Sequence, residues 1–336
     1  MEYADDLVPE YTVRHRDYDM TAARPVRTWS LFYGRPTYRV LHYGVDADHP
    51  GEEYGPVQHL TSEWAHVGLH DHDYCEISLI RSGHALHRTP YATTPLRATT
   101  VIVAAPGHLH ALDELDGLAE THLAFLPDWL ADELPGCWSE QALVPLFLSA
   151  SLFPKPLYPD AAQFCLTQEE LAAVDGELRA INREWNAETS SLVFLRVCLL
   201  KTLIILARAF VREHPETSEL PFRKEVWEAM ELIEAFVREG TPLDVAEVAQ
   251  AVALSHKRLD TVFKEATGAS PSEYFTRRRV QWAARKLLNP SVSVTEVAAE
   301  CGYADAAHFS NAFRKHYGMS PRAYRKMYRA TPGAKG

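Results

Sequence analysis

The C-terminal hundred residues of this 336-residue chain repeat themselves at an offset of 49–50 positions. Val245-Ala246-Glu247-Val248-Ala249 returns as Val294-Thr295-Glu296-Val297-Ala298, and Leu254 as Tyr303. After one inserted residue, Leu259 and Phe263 return as Phe309 and Phe313, Gly268 as Gly318, Ser270-Pro271 as Ser320-Pro321, and Tyr274 as Tyr324. Each copy spells the same local physics. Asp244 and Ser293 sit three positions before Glu247 and Glu296, the spacing of a capping box. A second cap, Ser255 or Asp305, opens a second helix, and Gly268 or Gly318 closes it. The inward stripe of that helix is Leu259, Val262 and Phe263 in one copy, and Phe309, Ala312 and Phe313 in the other. Helix, short turn, helix at this length is a helix-turn-helix, here present twice.

Between the copies, Ser270-Pro271-Ser272-Glu273 supplies a cap, a proline at the first helical position and an acid in the first turn. The helix it starts runs to Leu288, before Asn289-Pro290, and at 1.5 Å per residue spans about 25 Å. A rod of that length suits two recognition helices held about one DNA turn apart. Charge supports this. The whole chain carries −11, but residues 1–220 hold 16 Lys+Arg against 32 Asp+Glu, whereas residues 255–336 hold 15 against 6. The basic back end faces a polyanion; the acidic front has another task. The arginines of the back end (Arg277-Arg278-Arg279, Arg285, Arg322, Arg325, Arg329) are expected to hold phosphates, supplying affinity and salt dependence without sequence information.

The front half differs in texture. Residues 61–130 carry short β-like segments, Glu76–Ile80, Ala85–His87, Thr99–Ala104 and Glu120–Phe125, separated by the turn signals Ser82-Gly83 and Pro106-Gly107. A small antiparallel barrel or sandwich follows. Gln168–Trp185 and Ser191–Glu213 then show three-to-four-residue apolar periods, two amphipathic helices that either pack on the barrel or offer a dimer surface. His214–Pro221 is a polar linker. The fold class expected is α+β, with units at 1–160, 161–221 and 222–330. Five scattered cysteines without a CxxC pair suggest a reducing, cytoplasmic setting. The acidic start is unlike a signal peptide, and the longest apolar run is interrupted by Lys201 and Arg208, so no membrane is expected among the partners.

Residues 242–329 resemble the DNA-binding domain of the AraC/XylS family of transcription regulators. The stretch carrying the resemblance is Val297-Ala298-Ala299-Glu300-Cys301-Gly302-Tyr303, then Phe309-Ser310-Asn311-Ala312-Phe313-Arg314-Lys315-His316-Tyr317-Gly318-Met319-Ser320-Pro321. It departs at Asn311, where the family usually has arginine. The outward set of the first recognition helix is His256, Lys257, Asp260, Thr261 and Lys264. By resemblance, Lys257, Asp260 and Thr261 stand where the family touches base edges: lysine donates to guanine, aspartate accepts from cytosine, and threonine meets a thymine methyl. On the second helix the set is Ala306, Ala307, His308, Asn311 and Arg314. The alanines offer only apolar contact, and Asn311 suits adenine.

The sharpest signal in the acidic half is His70-Asp71-His72-Asp73-Tyr74-Cys75-Glu76. On a strand, residues 70, 72, 74 and 76 share one face. Pro106-Gly107-His108-Leu109-His110 supplies a further histidine. This pattern resembles the two cupin motifs, without the usual first glycine (Trp64 stands there) and with Ala105 where a proline is frequent. By that resemblance His70, His72, Glu76 and His110 would bind a divalent ion; imidazole with carboxylate suits Fe, Mn, Zn, Ni or Cu. By resemblance to sugar-responsive AraC-type regulators, the same groups, with Trp64 and Tyr74 to stack, are expected ahead of a metal site to line an effector pocket that hydrogen-bonds a sugar, with plain structural pairing as the third reading. No cofactor is required by the sequence. The resulting expectation is a regulator that binds a small molecule, by the family resemblance alone a carbohydrate, together with double-stranded promoter DNA, as a homodimer with RNA polymerase as a further partner. A metal-dependent cupin enzyme (isomerase or dioxygenase) and a regulator sensing metal, or redox state through Cys75, are the rival readings.

Overall fold

The computed structural model describes residues 38–43, 57–58, 69–71, 75–125 and, with short gaps, 140–328. Seven strands among the described residues form one sheet in the order β2-β1-β6-β3-β5-β7, with β4 also paired to β3. They are β1 Tyr38–Tyr43, β2 Val57–Gln58, β3 Cys75–Arg88, β4 Thr93–Leu96, β5 Thr100–Ala104, β6 Ala111–Phe125 and β7 Ala162–Cys165. All pairings are antiparallel except β1 with β2. The curl comes from the long β3–β6 pair, whose register slips three times between Ile80 and Leu86. Ser82-Gly83, expected to be a turn between two strands, is therefore a bulged bend inside one strand. Gly83 has φ of +76°, and a Cβ there would lie 2.2 Å from the Gly117 carbonyl oxygen, so the bend closes only with glycine. β7 joins β5, which carries the sheet past residue 160.

Strand alternation gives the half-barrel two faces. Cys75, Ile77, Leu79, Val101, Val103, Leu123, Phe125 and Phe164 are buried against helices. Ile80, Ile102, Leu96, Ala85 and Leu118 form a separate cluster on the other side. A π-helical turn, Val144–Leu148, leads into α1 (Ser149–Leu152). The connector helices α2 (Gln168–Trp185) and α3 (Leu192–Glu213) pack on each other and on the sheet through Val174, Leu178, Ile181, Leu195, Leu199, Leu203 and Leu206. Each such buried side chain stabilises the fold by about 1.5–3 kcal/mol. Packing on the barrel is thus where these helices spend their main apolar face.

The C-terminal unit is helical: α4 Lys224–Glu239, α5 Val245–Ala251, α6 His256–Thr267, α7 Pro271–Leu287, α8 Val294–Glu300, α9 Ala306–Tyr317 and α10 Pro321–Tyr328. The capping grammar of the sequence is realised. Asp244, Ser255, Ser293 and Asp305 each accept a backbone N–H in the first turn of the following helix, and Ser293 with Glu296 closes a full capping box. Gly268 and Gly318 end α6 and α9 in the left-handed conformation. The turns match as well: Leu254 N–H donates to Ala249 O at 2.9 Å, and Tyr303 N–H to Ala298 O at 2.9 Å.

Candidate nucleic-acid interface and effector pocket

The two copies frame their second helices alike. Phe263 on α6 meets Tyr274 of α7 edge-on at 5.6 Å, and Phe313 on α9 meets Tyr324 of α10 edge-on at 5.3 Å. Leu259, Val262, Phe263, Phe309 and Phe313 are buried. That fixes the phase of the opposite faces. His256, Lys257, Thr261 and Lys264 are exposed on α6, and Ala307, His308, Asn311 and Arg314 on α9; Asp260 and Ala306 are half-buried. His308 also touches the Tyr303 ring edge-on at 5.4 Å. Arg258, the counterpart of His308 in the repeat, is exposed too and was not singled out by the sequence argument.

The arginine run does not lie on that surface, which corrects the expectation of phosphate contacts. Arg278 is 1% exposed and ion-paired to Glu234 of α4 at 2.6 Å. Arg279 lies over the Tyr303 ring at 4.0 Å and donates to Gly302 O. Arg277 donates to Ser151 O at 2.8 Å, outside the C-terminal unit altogether. Arg325 donates to Leu287 O and Val292 O. These guanidiniums fork onto carbonyls and a carboxylate because five fixed donors satisfy several acceptors at once. Among the described residues from 255 on, the exposed cations are Lys257, Arg258, Lys264, Arg314, Lys315, Arg322 and Lys326.

In the half-barrel, β3 is described from Cys75 on, and residues 72–74, through which the expected shared face of residues 70–76 would run, lie outside the described residues. His72, Tyr74 and Trp64 lie outside the described residues. His70 is instead brought in by a two-residue bridge: His70 N–H donates to His110 O, and His110 N–H to His70 O, leaving their rings 4.7 Å apart. His110 Nε2 stands 3.8 Å from Glu76 Oε1. Three residues of the expected set, His70, Glu76 and His110, therefore meet. His108, in the same Pro-Gly turn, takes a structural part: its Nδ1 accepts from Ala105 N–H.

The other half of the cluster is not legible from the sequence alone. On β6, Glu120 and His122 alternate onto the face that carries Glu76, Ser78 and Ile80 on β3, with Ser78 opposite His122 and Ile80 opposite Glu120. His122 Nε2 pairs with Glu120 Oε2 at 2.9 Å, and its Nδ1 is 3.7 Å from Glu76 Oε2. Burial alone would lower the His122 pKa, but the Glu120 and Glu76 carboxylates outweigh it and raise it to about 9, so the ring is an imidazolium. His87, edge-on to His110 at 5.8 Å, is pushed down by burial and is neutral. The available signal was the Glu120-x-His122 alternation, readable only once register is known. Among the described residues no group of three side chains converges as metal ligands would. Glu76 Oε1 faces His110 and Oε2 faces His122, and His72, the fourth member of the expected ligand set, lies outside the described residues. Cys75 is buried, and desolvation, reinforced by Glu76, holds its pKa well above that of an ordinary thiol, which disfavours redox chemistry.

A duplicated helix-turn-helix with outward polar faces, joined to a half-barrel with a polar interior, defines a DNA-binding regulator that takes a small ligand. Two family models match accordingly: "AraC-like ligand binding domain" over residues 43–180 and "Helix-turn-helix domain" over 248–327. The chain is 25% identical over 266 residues to the HTH-type transcriptional activator RhaR of Mannheimia succiniciproducens, covering 77% of this chain and 87% of that protein. It is 28% identical over 166 residues to the HTH-type transcriptional regulator ArgR of Pseudomonas aeruginosa, covering 47% of each. A solved AraC-type regulator from Chromobacterium violaceum is 33% identical, with a TM-score of 0.30, and covers 32% of this chain and 95% of that one. The chain belongs to the AraC family of helix-turn-helix transcription regulators and is not an enzyme. No helix among the described residues is long and apolar enough to cross a membrane.

Proposed function

We propose that the chain is a carbohydrate-responsive regulator of promoter DNA. The observation that carries the sugar reading is the polar row of buried Glu76, Ser78 and Glu120 with half-buried His122, flanked by His87 and His110. It mixes carboxylate acceptors with imidazole and hydroxyl donors, and hydroxyls, which both donate and accept, satisfy such a mixture best. Two carboxylates make the same interior unwelcoming to an anion. DNA is read by His256, Lys257, Asp260, Thr261 and Lys264 on α6, and by Ala306, Ala307, His308, Asn311 and Arg314 on α9. RNA polymerase is the partner that such a regulator acts upon at a promoter. A thermal-shift screen of mono- and disaccharides against aromatic acids tests the ligand class: stabilisation by a sugar that is lost in His110→Ala supports it, and stabilisation by acids alone refutes it. A salt-dependent gel shift on promoter duplex tests DNA binding.

One further observation favours a homodimer. On α3, Val193, Phe194 and Val197 are 68%, 45% and 53% exposed, and half-buried Leu200 and Ile204 continue the row at spacings of three and four. A second copy is the occupant that suits such a seam. Sedimentation of Val193→Glu/Val197→Glu at half the mass of the unaltered protein is the expected result; an unchanged mass assigns the dimer elsewhere or removes it.

A further inference from the structure

The recognition faces of α6 and α9 are exposed, and among the described residues the front unit meets the C-terminal unit elsewhere, through Ser151 and Phe153, without covering the DNA surface. What it touches is α7, the helix on which both recognition helices are mounted. Arg277 Nε donates to Ser151 O at 2.8 Å. Gln281 Nε2 donates to Ser151 O at 2.9 Å and to Ser151 Oγ at 3.0 Å. Beside this, buried Phe153 stacks on Tyr274 of α7 at 6.0 Å and meets Phe222 edge-on at 5.4 Å. Gln281 is locked in turn, because its Oε1 accepts from Arg278, itself held by Glu234.

The other end of this segment reaches the pocket. Phe147, in the π-helical turn before α1, packs on Phe125 at 6.3 Å. Phe125 ends β6, the strand whose opposite face carries Glu120 and His122, and it pairs with Cys75 next to Glu76. Within the turn, Ser149 Oγ donates to Pro145 O and Phe153 N–H to Ser149 O, so 145–153 is a small tied unit. A contact on α7 acts on both recognition helices at once, whereas a contact on α6 or α9 would act on one.

We propose that Val144–Phe153 is the coupling element of this regulator: it clamps α7 through Ser151 and Phe153, and displacement of β6 by a ligand reorients the two recognition helices together. The proposal rests on the regulator reading. Because energetic coupling between two sites is reciprocal, it is testable without knowing the effector. The experiment is hydrogen exchange, read by mass spectrometry, on the full-length protein and on Ser151→Arg and Arg277→Ala. The first sets a cation against Arg277 without touching the core of the C-terminal unit; the second removes one donor.

In the absence of DNA, both variants are expected to exchange about tenfold faster over 144–153 and 271–281, the scale of one or two net hydrogen bonds, with α6 and α9 unchanged. Adding a duplex selected by the unaltered chain from a random pool should slow exchange over 120–125 and 144–153 in the unaltered chain, and in neither variant. Unchanged exchange across the seam in both variants overturns the clamp. No response over 120–125 in the unaltered chain, or the same response in the variants, overturns the coupling. Failure of the regulator reading shows itself differently: no duplex is selected, and the proposal falls with it while the DNA-free comparison still reports on the seam.

Discussion

Glu234→Ala offers the most demanding test of how the DNA-binding unit is held together. Glu234 is 3% exposed on α4, and Arg278 is 1% exposed on α7. Arg278 Nε and Nη2 reach the two Glu234 oxygens at 2.6 and 3.3 Å, and Tyr274 O–H donates to Oε1 at 2.8 Å. Removing the carboxylate leaves a buried guanidinium without its counter-charge and a buried hydroxyl without its acceptor. Breaking one side of such a pair costs about 3–5 kcal/mol. Replacing both partners by apolar groups, as in Glu234→Leu/Arg278→Met, costs far less, since the desolvation penalty of both ions disappears with their attraction. The assay is native-state hydrogen exchange over 224–239 and 271–287, where that loss reads as an acceleration of roughly two to three and a half decades. The double variant should lie closer to the unaltered protein than either single one, a large non-additivity. Acceleration below tenfold in Glu234→Ala, or simple additivity in the double variant, would refute the claim that this pair ties α4 to α7.

The remaining expectations concern the DNA face, the second turn and the pocket. Lys257→Ala and Asn311→Ala should each weaken binding to a selected duplex by about 1–3 kcal/mol in a fluorescence-anisotropy titration; unchanged affinity in both contradicts the helix phase. Gly302→Ala should lower stability by about 3–5 kcal/mol in a thermal melt, because φ is +72° and its Cβ would lie 2.3 Å from the Gly240 carbonyl oxygen. Ala253→Gly, at the equivalent turn with φ of +56°, should be neutral or mildly stabilising in the same melt. For His122 the folded pKa of about 9 exceeds the ordinary value of 6.5, so its stabilisation is complete below pH 6.5 and is lost as pH rises through 9. Unfolding free energies from urea titrations should fall across that window by an amount on the order of 3 kcal/mol, and His122→Gln should lack the fall.

The helical unit was legible because its signals are local. Caps, acids three residues on and terminal glycines specify each helix within four residues, and the repeat confirmed them twice. The arginine run was misread for the opposite reason. Its partners, Ser151, Glu234 and Gly302, lie 126, 44 and 23 residues away, and a run of cations looks the same whether it faces a phosphate or a buried carboxylate. The pocket was half legible. His70, Glu76 and His110 were found, and the stretch between them, 72–74, lies outside the described residues. Glu120, His122 and His87 were missed because their convergence depends on the β3–β6 register and on a bulge, neither of which alternation alone specifies.

The two recognition helices are unequal in what they present. Where α6 opens with His256, Lys257 and Arg258, α9 opens with Ala306, Ala307 and His308, on a frame of phenylalanines that does not depend on the first two. Methyl groups at that end permit close approach to a groove while demanding little of the bases they meet. Under the proposed DNA reading, the stretch of operator under α9 is then free to drift in sequence at small cost. On the same reading, new base preferences can be written at exposed Ala307 without disturbing the scaffold, which makes this half of the reading head the natural place to retarget the protein.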